Sequence, residues 1–249
     1  MGKLVVFGGS GGLGSKLVGG LNKDYDVMSL SSKDVDVTNF DEVKDFFSNN
    51  KVESVLNLSG YNYNMILHKY TKDKSIEVKK QIEINIEGNL NILANCLPSM
   101  RENKYGRIIL ISSILSSKPV VGTSVYSGCK AFIDNLVKTC TVENIRYGVT
   151  CNSIQLGYFD GGMTYEIPES VRDNFKKNIP LKRWGKIIEL ENTIRYLINT
   201  EYVSGFNMKI NGGLQAHWQD EWILLKRKWN MMQPDERGKW EDYYDTNRK

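Results

Sequence analysis

"KLVVFGGSGGLGSKL", residues 3–17, joins an apolar run to a glycine-rich turn and then to the start of a helical pattern. Gly8, Gly12 and Gly14 give the turn the spacing GxxxGxG. Glycines between a strand and a helix allow a tight turn and a close approach of the backbone to a phosphate, and the free N–H groups of the helix N-terminus bind phosphates. The stretch therefore predicts a dinucleotide-binding turn, with a simple glycine-rich turn as the alternative.

Apolar runs and helical patterns alternate along the rest of the chain. Runs of apolar residues without polar alternation indicate strands of a parallel sheet that is covered on both faces. Alternating strands and helices predict a doubly wound α/β fold, a Rossmann-type sheet in three α/β/α layers. The predicted strands are 3–7, 26–30, 53–59, 107–113, 148–156 and 206–210, and the predicted helices are 12–22, 39–49, 78–101, 125–146 and 189–199.

The sheet pattern ends near residue 211, which predicts a single catalytic domain over residues 1–213 and a C-terminal extension over residues 214–249. The extension holds four of the five tryptophans. Trp218, Trp222 and Trp229 recur at helical spacing, so we expect a helix that packs on the domain or on a neighbouring subunit. A basic amphipathic helix at a membrane surface is the alternative.

Composition excludes several classes of function. The 249 residues carry a net charge of +4, and 33 basic residues are interspersed with 29 acidic ones, so we expect no nucleic-acid partner. The N-terminal apolar run is too short for a signal peptide or a membrane span, so we expect a cytoplasmic protein. The four cysteines show no paired spacing, which indicates buried thiols and neither a metal site nor a disulfide framework.

A second stretch, "YSGCK" at residues 126–130, places a tyrosine four residues before a lysine in a predicted helix. Tyr126 and Lys130 therefore share a helix face. A phenol has a pKa near 10, and a neighbouring ammonium favours the phenolate. Lowering that pKa to about 7 requires ~4 kcal/mol of differential stabilisation. The spacing indicates an acid/base pair, with a packing tyrosine as the alternative.

Further motifs follow in order along the chain, and together with the first two they resemble the classical branch of the short-chain dehydrogenase/reductase family over residues 3–213. Asn85 stands in a helix where the family places an asparagine, and Ser113 ends a strand 13 residues before Tyr126. The motifs are "DVT" at 36–38, "NLSG" at 57–60, "INIEGNLNI" at 84–92, "ILISS" at 109–113, "NSIQLGYFDGGM" at 152–163 and "VSGFNMKINGG" at 203–213.

The resemblance implies a catalytic set of Tyr126, Lys130, Ser113 and Asn85, and no metal. Tyr126 would act as proton donor or base, Lys130 would also hold the nicotinamide ribose, and Ser113 would bond the substrate oxygen. Asn85 would hold a water that links Lys130 to solvent. The residues expected to bind the dinucleotide are Gly8, Ser10, Gly12, Leu13, Gly14, Ser31, Ser32, Lys33, Asp36, Val37, Asn57, Ser59, Gly60, Tyr126, Lys130, Gly157 and Phe159.

The chain departs from the family pattern at two places that affect the cofactor. An acidic residue usually ends the second strand in proteins that prefer NAD. Ser31, Ser32 and Lys33 stand there instead, which favours the 2′-phosphate of NADP, although Asp34 lies close enough in sequence to favour NAD. Gly161 stands where a threonine commonly bonds the nicotinamide carboxamide.

These features predict an oxidoreductase that acts on a carbonyl or secondary alcohol, as a homodimer or homotetramer. The loop 60–65, the stretch 114–123 and the segment 158–180 would rim the pocket. Their tyrosines and asparagines favour a keto-sugar or a nucleotide-linked sugar. The alternatives are a 3-oxoacyl-thioester reductase, a nucleotide-sugar epimerase or dehydratase, and a non-catalytic regulatory or scaffold protein that binds a dinucleotide.

Overall fold

A parallel sheet forms the centre of the computed structural model, which describes residues 2–166 and 169–215. Its strands are β1 (Lys3–Phe7), β2 (Asp26–Leu30), β3 (Ser54–Asn57), β4 (Gly106–Ser113), β5 (Val149–Leu156) and β6 (Asn207–Ile210). The strands pair in parallel in the order β2-β1-β3-β4-β5-β6. The predicted doubly wound fold is confirmed.

Helices cover both faces of the sheet. They are α1 (Gly14–Leu21), α2 (Phe40–Asn49), α3 (Lys74–Ile82), α4 (Gly88–Glu102), α5 (Ser124–Asn144), α6 (Glu169–Asn178) and α7 (Ile187–Asn199). One π-helical turn, Glu83–Glu87, joins α3 to α4. Helix α6 lies in a segment for which the sequence pattern predicts no helix, because only two residues of "ESVRDNFKKN", Val171 and Phe175, are apolar.

Alternate residues of β1 pack into hydrophobic cores on opposite faces of the sheet. Val5 and Phe7 face α2 and α4, while Leu4 and Val6 face α1 and α7, and all four are buried. A residue period of two on a sheet that is covered on both sides produces this division. Within the described residues, no helix is both long and apolar enough to cross a lipid bilayer. Of the predicted C-terminal extension, residues 216–249 lie outside the described residues.

From β1 the chain adds β2 on one side of the sheet, and it then adds β3 to β6 on the other side. This change of side between β1 and β3 places a crevice at the carboxyl ends of the strands. The glycine-rich turn opens into this crevice. Gly8 has a φ of 74°, and a Cβ on Gly14 would lie 2.3 Å from the Gly8 carbonyl oxygen. Glycine is therefore required at both positions, which brings the N-terminus of α1 close to the end of β1.

Candidate functional site

A cavity of about 800 Å³ lies at the carboxyl edge of the sheet. The glycine-rich turn forms one wall, α5 and the end of β4 form the floor, and the segment after β5 forms the opposite wall. A smaller cavity of about 570 Å³ lies beside β6, and its lining includes none of the predicted site residues. The larger cavity is therefore the candidate site.

Tyr126 and Lys130 meet on the cavity floor, as their spacing predicts. Both side chains are buried, and the Lys130 ammonium lies 5.5 Å from the centroid of the Tyr126 ring. Lys130 Nζ donates to the Ile111 carbonyl at 2.9 Å, which holds the ammonium against β4. Burial lowers the pKa of Lys130 to about 8. The side chain is thus mostly protonated at pH 7 and presents a cation beside the phenol.

Ser113 is the last residue of β4 and lines the same cavity. Its hydroxyl oxygen accepts a hydrogen bond from the Leu115 amide at 3.2 Å, which fixes the orientation of the side chain. The hydroxyl hydrogen remains available for a ligand oxygen. Ser113 and Tyr126 therefore both present hydroxyl groups to one cavity.

Asn85 lies on the π-helical turn behind Gly60. Its amide nitrogen donates to the carbonyls of Tyr61 and Gln81 at 2.7 and 2.8 Å. Its carbonyl oxygen is buried and has no hydrogen-bond partner among the described residues. A Cβ on Gly60 would lie 3.4 Å from that oxygen and 3.6 Å from Lys130 Nζ. Because glycine has no side chain, a small space remains at Gly60 between the Asn85 carbonyl oxygen and Lys130 Nζ, and this space suits a bound water.

The glycine-rich turn offers hydrogen-bond donors to an anion. Within the described part of the chain, the amides of Gly12 and Leu13 donate to no backbone oxygen. Both residues line the cavity immediately before the N-terminus of α1. Free amides next to a helix N-terminus form a ready site for a phosphate. The donor set therefore fits the pyrophosphate of a dinucleotide.

The segment after β2 combines the hydroxyl groups and lysine that favour NADP with the nearby carboxylate that favours NAD. Both the amide and the hydroxyl of Ser31 donate to the Asp34 carboxylate, at 2.8 and 2.6 Å. These hydrogen bonds hold the pKa of Asp34 below its usual range. The Lys33 amide donates to Ser31 Oγ at 3.2 Å, and the side chains of Ser32 and Lys33 are exposed. A carboxylate therefore sits beside the serine that was expected to meet a 2′-phosphate.

Several predicted cofactor residues have their side chains engaged in the fold. Asn57 donates to Asn89 and accepts from the Ser59 amide. Phe159 packs its ring against Gly185, where a Cβ would lie 2.7 Å from the ring. Of the predicted residues, Gly8, Gly12, Leu13, Gly14, Gly60, Ser113, Tyr126, Lys130, Gly157 and Phe159 line the cavity, while Ser10, Ser31, Ser32, Lys33, Asp36, Val37, Asn57, Ser59 and Asn85 do not.

The sequence-based predictions give no individual role to Thr164 or Lys16, which also line the cavity. Thr164 is buried at the cavity wall. The family pattern expects a threonine at position 161, so Thr164 lies three positions after the expected place. Lys16 lies on the first turn of α1 and also lines the cavity. Lys16 could have been predicted to line the site, because it stands two positions after Gly14, the last glycine of the turn. The displaced threonine becomes apparent only once the segment is folded.

The far end of the cavity mixes aromatic and polar groups. Tyr61 donates its hydroxyl to Glu77 at 2.6 Å, and Lys80 lies 4.6 Å from the centroid of the Tyr61 ring. These contacts fix the loop that carries Tyr61 against α3. Tyr158 and Phe175 pack edge to face at 5.4 Å and form an apolar wall. Residues of loop 60–65 and of the segment after β5 therefore both line this end of the cavity.

Comparison with known proteins gives a match to one family model and to several curated relatives that are named as reductases. A family model described as enoyl-(acyl carrier protein) reductase matches residues 11–215. Acetoacetyl-CoA reductase of Synechocystis sp. is 33% identical over 134 residues, which are 53% of this chain and 56% of that protein. The chain thus spans little more than half the length of this relative. Carbonyl reductase family member 4 of Xenopus tropicalis is 27% identical over 233 residues, 84% of this chain and 96% of that protein.

Solved structures share the fold. A protein described as a candidate gluconate dehydrogenase from Agrobacterium tumefaciens superposes with a TM-score of 0.78 at 23% identity, over 86% of this chain and 96% of that chain. ElxO with NADP bound superposes with a TM-score of 0.77 at 18% identity, over 86% of this chain and 99% of that chain. At these identities, the likeness supports the fold alone.

Proposed function

The chain belongs to the short-chain dehydrogenase/reductase family, and we propose that it is an NAD(P)-dependent oxidoreductase that acts on a carbonyl or secondary alcohol. The observation that carries the proposal is the pairing of Tyr126 with the buried Lys130 ammonium on the floor of a cavity that reaches the glycine-rich turn. A dinucleotide, when bound, supplies or accepts the hydride.

In this proposal, Tyr126 moves the proton at the substrate oxygen. The Lys130 cation stabilises the phenolate, and a bound oxidised nicotinamide would add to this stabilisation through its positive charge. Ser113 donates its hydroxyl to the same substrate oxygen, where negative charge develops. The Asn85 carbonyl and the Lys130 ammonium hold a water in the space at Gly60, which connects the site to bulk solvent for proton exchange. Free amides of Gly12 and Leu13 hold the pyrophosphate.

A direct experiment separates an enzyme from a non-catalytic dinucleotide-binding protein. NADPH and NADH binding is measured by nicotinamide fluorescence, and a panel of carbonyl compounds is then screened for loss of NADPH absorbance. Binding together with turnover of at least one compound supports the proposal. Binding without turnover across the panel would favour a regulatory or scaffold role, and absence of binding would remove the proposal altogether.

We propose NADP as the preferred cofactor, because Lys33 presents an exposed ammonium at the end of β2. Asp34 acts in the opposite direction, since its carboxylate lies against the Ser31 hydroxyl. Lys33→Ala should weaken NADPH binding more than NADH binding, and Asp34→Ala should strengthen NADPH binding relative to NADH. Equal effects of Lys33→Ala on both cofactors would contradict the preference. Fluorescence titration of each variant with each cofactor measures it.

Two substrate classes are compatible with the family. The phenol and amide groups on loop 60–65 support a keto-sugar or a nucleotide-linked sugar as substrate. The named activity of the acetoacetyl-CoA relative supports a 3-oxoacyl thioester. Parallel assays with hexuloses and with acetoacetyl-CoA distinguish the two classes. We also propose a homodimer or homotetramer in the cytoplasm, which light scattering and cell fractionation test.

A further inference from the structure

The carboxamide of Gln155, near the end of β5, joins two separate elements of the fold. Its nitrogen donates to the Asp134 carboxylate on α5 at 2.6 Å and to the Ser116 hydroxyl at 3.0 Å. Gln155 and Asp134 are both buried, and none of the three residues lines the candidate site. The link between α5 and the segment after β4 therefore lies behind the site, away from a ligand in the cavity.

Asp134 fixes the orientation of this carboxamide. An ionised carboxylate can only accept hydrogen bonds, so the Gln155 nitrogen has to face it. The Ser153 hydroxyl donates to the other oxygen of the carboxylate at 2.8 Å, which holds Asp134 in place. The Gln155 oxygen is buried and has no hydrogen-bond partner among the described residues. An unpaired buried oxygen costs stability. The two contacts of the nitrogen are therefore what a glutamine provides at this position.

Ser116 belongs to the short turn that orients Ser113. This 3-10 turn, Ile114–Ser116, follows Ser113 directly, and its Leu115 amide donates to the Ser113 hydroxyl oxygen. The position of the turn therefore decides where the Ser113 hydroxyl points. Because Gln155 binds the last residue of the turn, it restrains the turn and, through the turn, the hydroxyl of Ser113.

The other end of the link reaches the helix that carries the acid/base pair. Asp134 lies one helical turn beyond Lys130 and two turns beyond Tyr126, on the same buried face of α5. Gln155 thus sets this face of α5 against the turn that orients Ser113. In the proposed reaction, the hydroxyls of Ser113 and Tyr126 meet one substrate oxygen, so their relative position matters. A displacement of about 1 Å in such an arrangement costs up to about 10²-fold in rate.

We propose that Gln155 is a positioning residue for the reaction, which holds the turn after Ser113 in a fixed place against α5. The inference rests on the proposed function, because it requires Ser113 and Tyr126 to act on one substrate oxygen. Gln155 does not line the cavity that would take the substrate and the dinucleotide. Its replacement should therefore lower kcat and leave the affinity for NADPH unchanged.

The test compares kcat, the substrate KM and NADPH affinity in the wild type, Gln155→Met and Ser116→Ala. Methionine keeps the length of the glutamine side chain without its donors. Ser116→Ala removes the other end of the link at a half-buried position and leaves the contact of Gln155 with Asp134 intact. Each variant should lower kcat roughly tenfold and change the substrate KM by less than about twofold. Each kcat is expressed per NADPH-binding site, which removes unfolded protein from the comparison.

Two double variants show whether the link acts as one unit and through Ser113. Gln155→Met with Ser116→Ala should be no slower than Gln155→Met alone, because both changes break the same link. In a Ser113→Ala background, Gln155→Met should leave kcat unchanged, because the hydroxyl that it positions is already absent. A further tenfold loss of kcat in that background would overturn the proposal.

Thr141→Val is the matched control, because Thr141 also joins α5 to β5. Its hydroxyl donates to the Cys151 carbonyl at 3.1 Å, about three helical turns beyond Lys130. This variant should keep the wild-type kcat per NADPH-binding site.

Two patterns among the single variants would overturn the positioning role. A lower kcat in Gln155→Met but not in Ser116→Ala would show that Gln155 acts on Asp134 alone. An unchanged kcat in both variants, beside normal wild-type turnover, would overturn this inference and leave the proposed function intact. Wild-type protein that turns over no carbonyl compound would refute the proposed function and this inference together.

Discussion

Replacement of Lys130 by methionine should stabilise the folded protein at neutral pH, because the lysine is held as a cation in a buried position. Lys130 is 3% exposed. Burial lowers the pKa of its ammonium from 10.5 to about 8. The gap between the two values corresponds to about 3 kcal/mol, at about 1.4 kcal/mol for each pH unit.

The sign follows from the protons that each state binds. Below a pH of about 8, both the folded and the unfolded protein carry the Lys130 proton, so the full cost of burying the cation applies. Between about 8 and 10.5, the folded protein loses this proton while the unfolded protein keeps it, so the free energy of unfolding rises with pH. Above that range the lysine is neutral in both states, and the cost disappears.

Methionine removes the buried charge at every pH, but it also removes the hydrogen bond to Ile111, worth about 1 kcal/mol. The variant should therefore be more stable than the wild type by about 2 kcal/mol at neutral pH, and less stable by about 1 kcal/mol above the titration range. Urea unfolding followed by circular dichroism at pH 7 and above pH 10.5 measures both differences. Lys138→Met, on an exposed position of the same helix, should show no such change with pH. A Lys130→Met variant that is less stable by the same amount at both pH values would refute the reasoning.

Three further substitutions test separate parts of the site. Gly60→Ala should lower kcat about tenfold or more with NADPH affinity retained, because the new methyl group fills the space between Asn85 and Lys130. An unchanged kcat would show that a water in this space takes no part in proton exchange. Ser113→Ala should lower kcat by roughly 10²- to 10³-fold with a small change in the substrate KM, because it removes one hydrogen-bond donor to a developing oxyanion. Steady-state kinetics measures both parameters, and a change in KM alone would contradict this role. Gly14→Ala should destabilise the fold by about 1–3 kcal/mol in urea unfolding, because its Cβ would lie 2.3 Å from the Gly8 carbonyl oxygen; unchanged stability would show that the turn can move away.

The architecture could be predicted from the sequence because its signals are local. Each strand is a short run of apolar residues, and the spacing of Tyr126 and Lys130 on one helix fixes their common face without knowledge of the rest of the fold. Helix α6 escaped prediction because only two of its ten residues, Val171 and Phe175, are apolar. Its position depends on contacts with the segment after β5, as when Tyr158 packs on Phe175.

Contacts between distant residues could not be read from the sequence. The common space of Gly60, Asn85 and Lys130 requires three separate segments to meet. The contact of Lys16 with Asp160 joins residues 144 positions apart. Periodicity carries no information on such pairs.

The central claim is that the Tyr126 phenol moves a proton under the influence of the Lys130 cation, and Tyr126→Phe tests it most directly. The substitution removes one hydroxyl and keeps the ring that packs beside Lys130. Turnover of a carbonyl substrate and binding of NADPH are measured on the same preparation. The account predicts a loss of turnover by at least about 10²-fold with NADPH affinity unchanged. Turnover at the wild-type rate, with the cofactor bound normally, would contradict it.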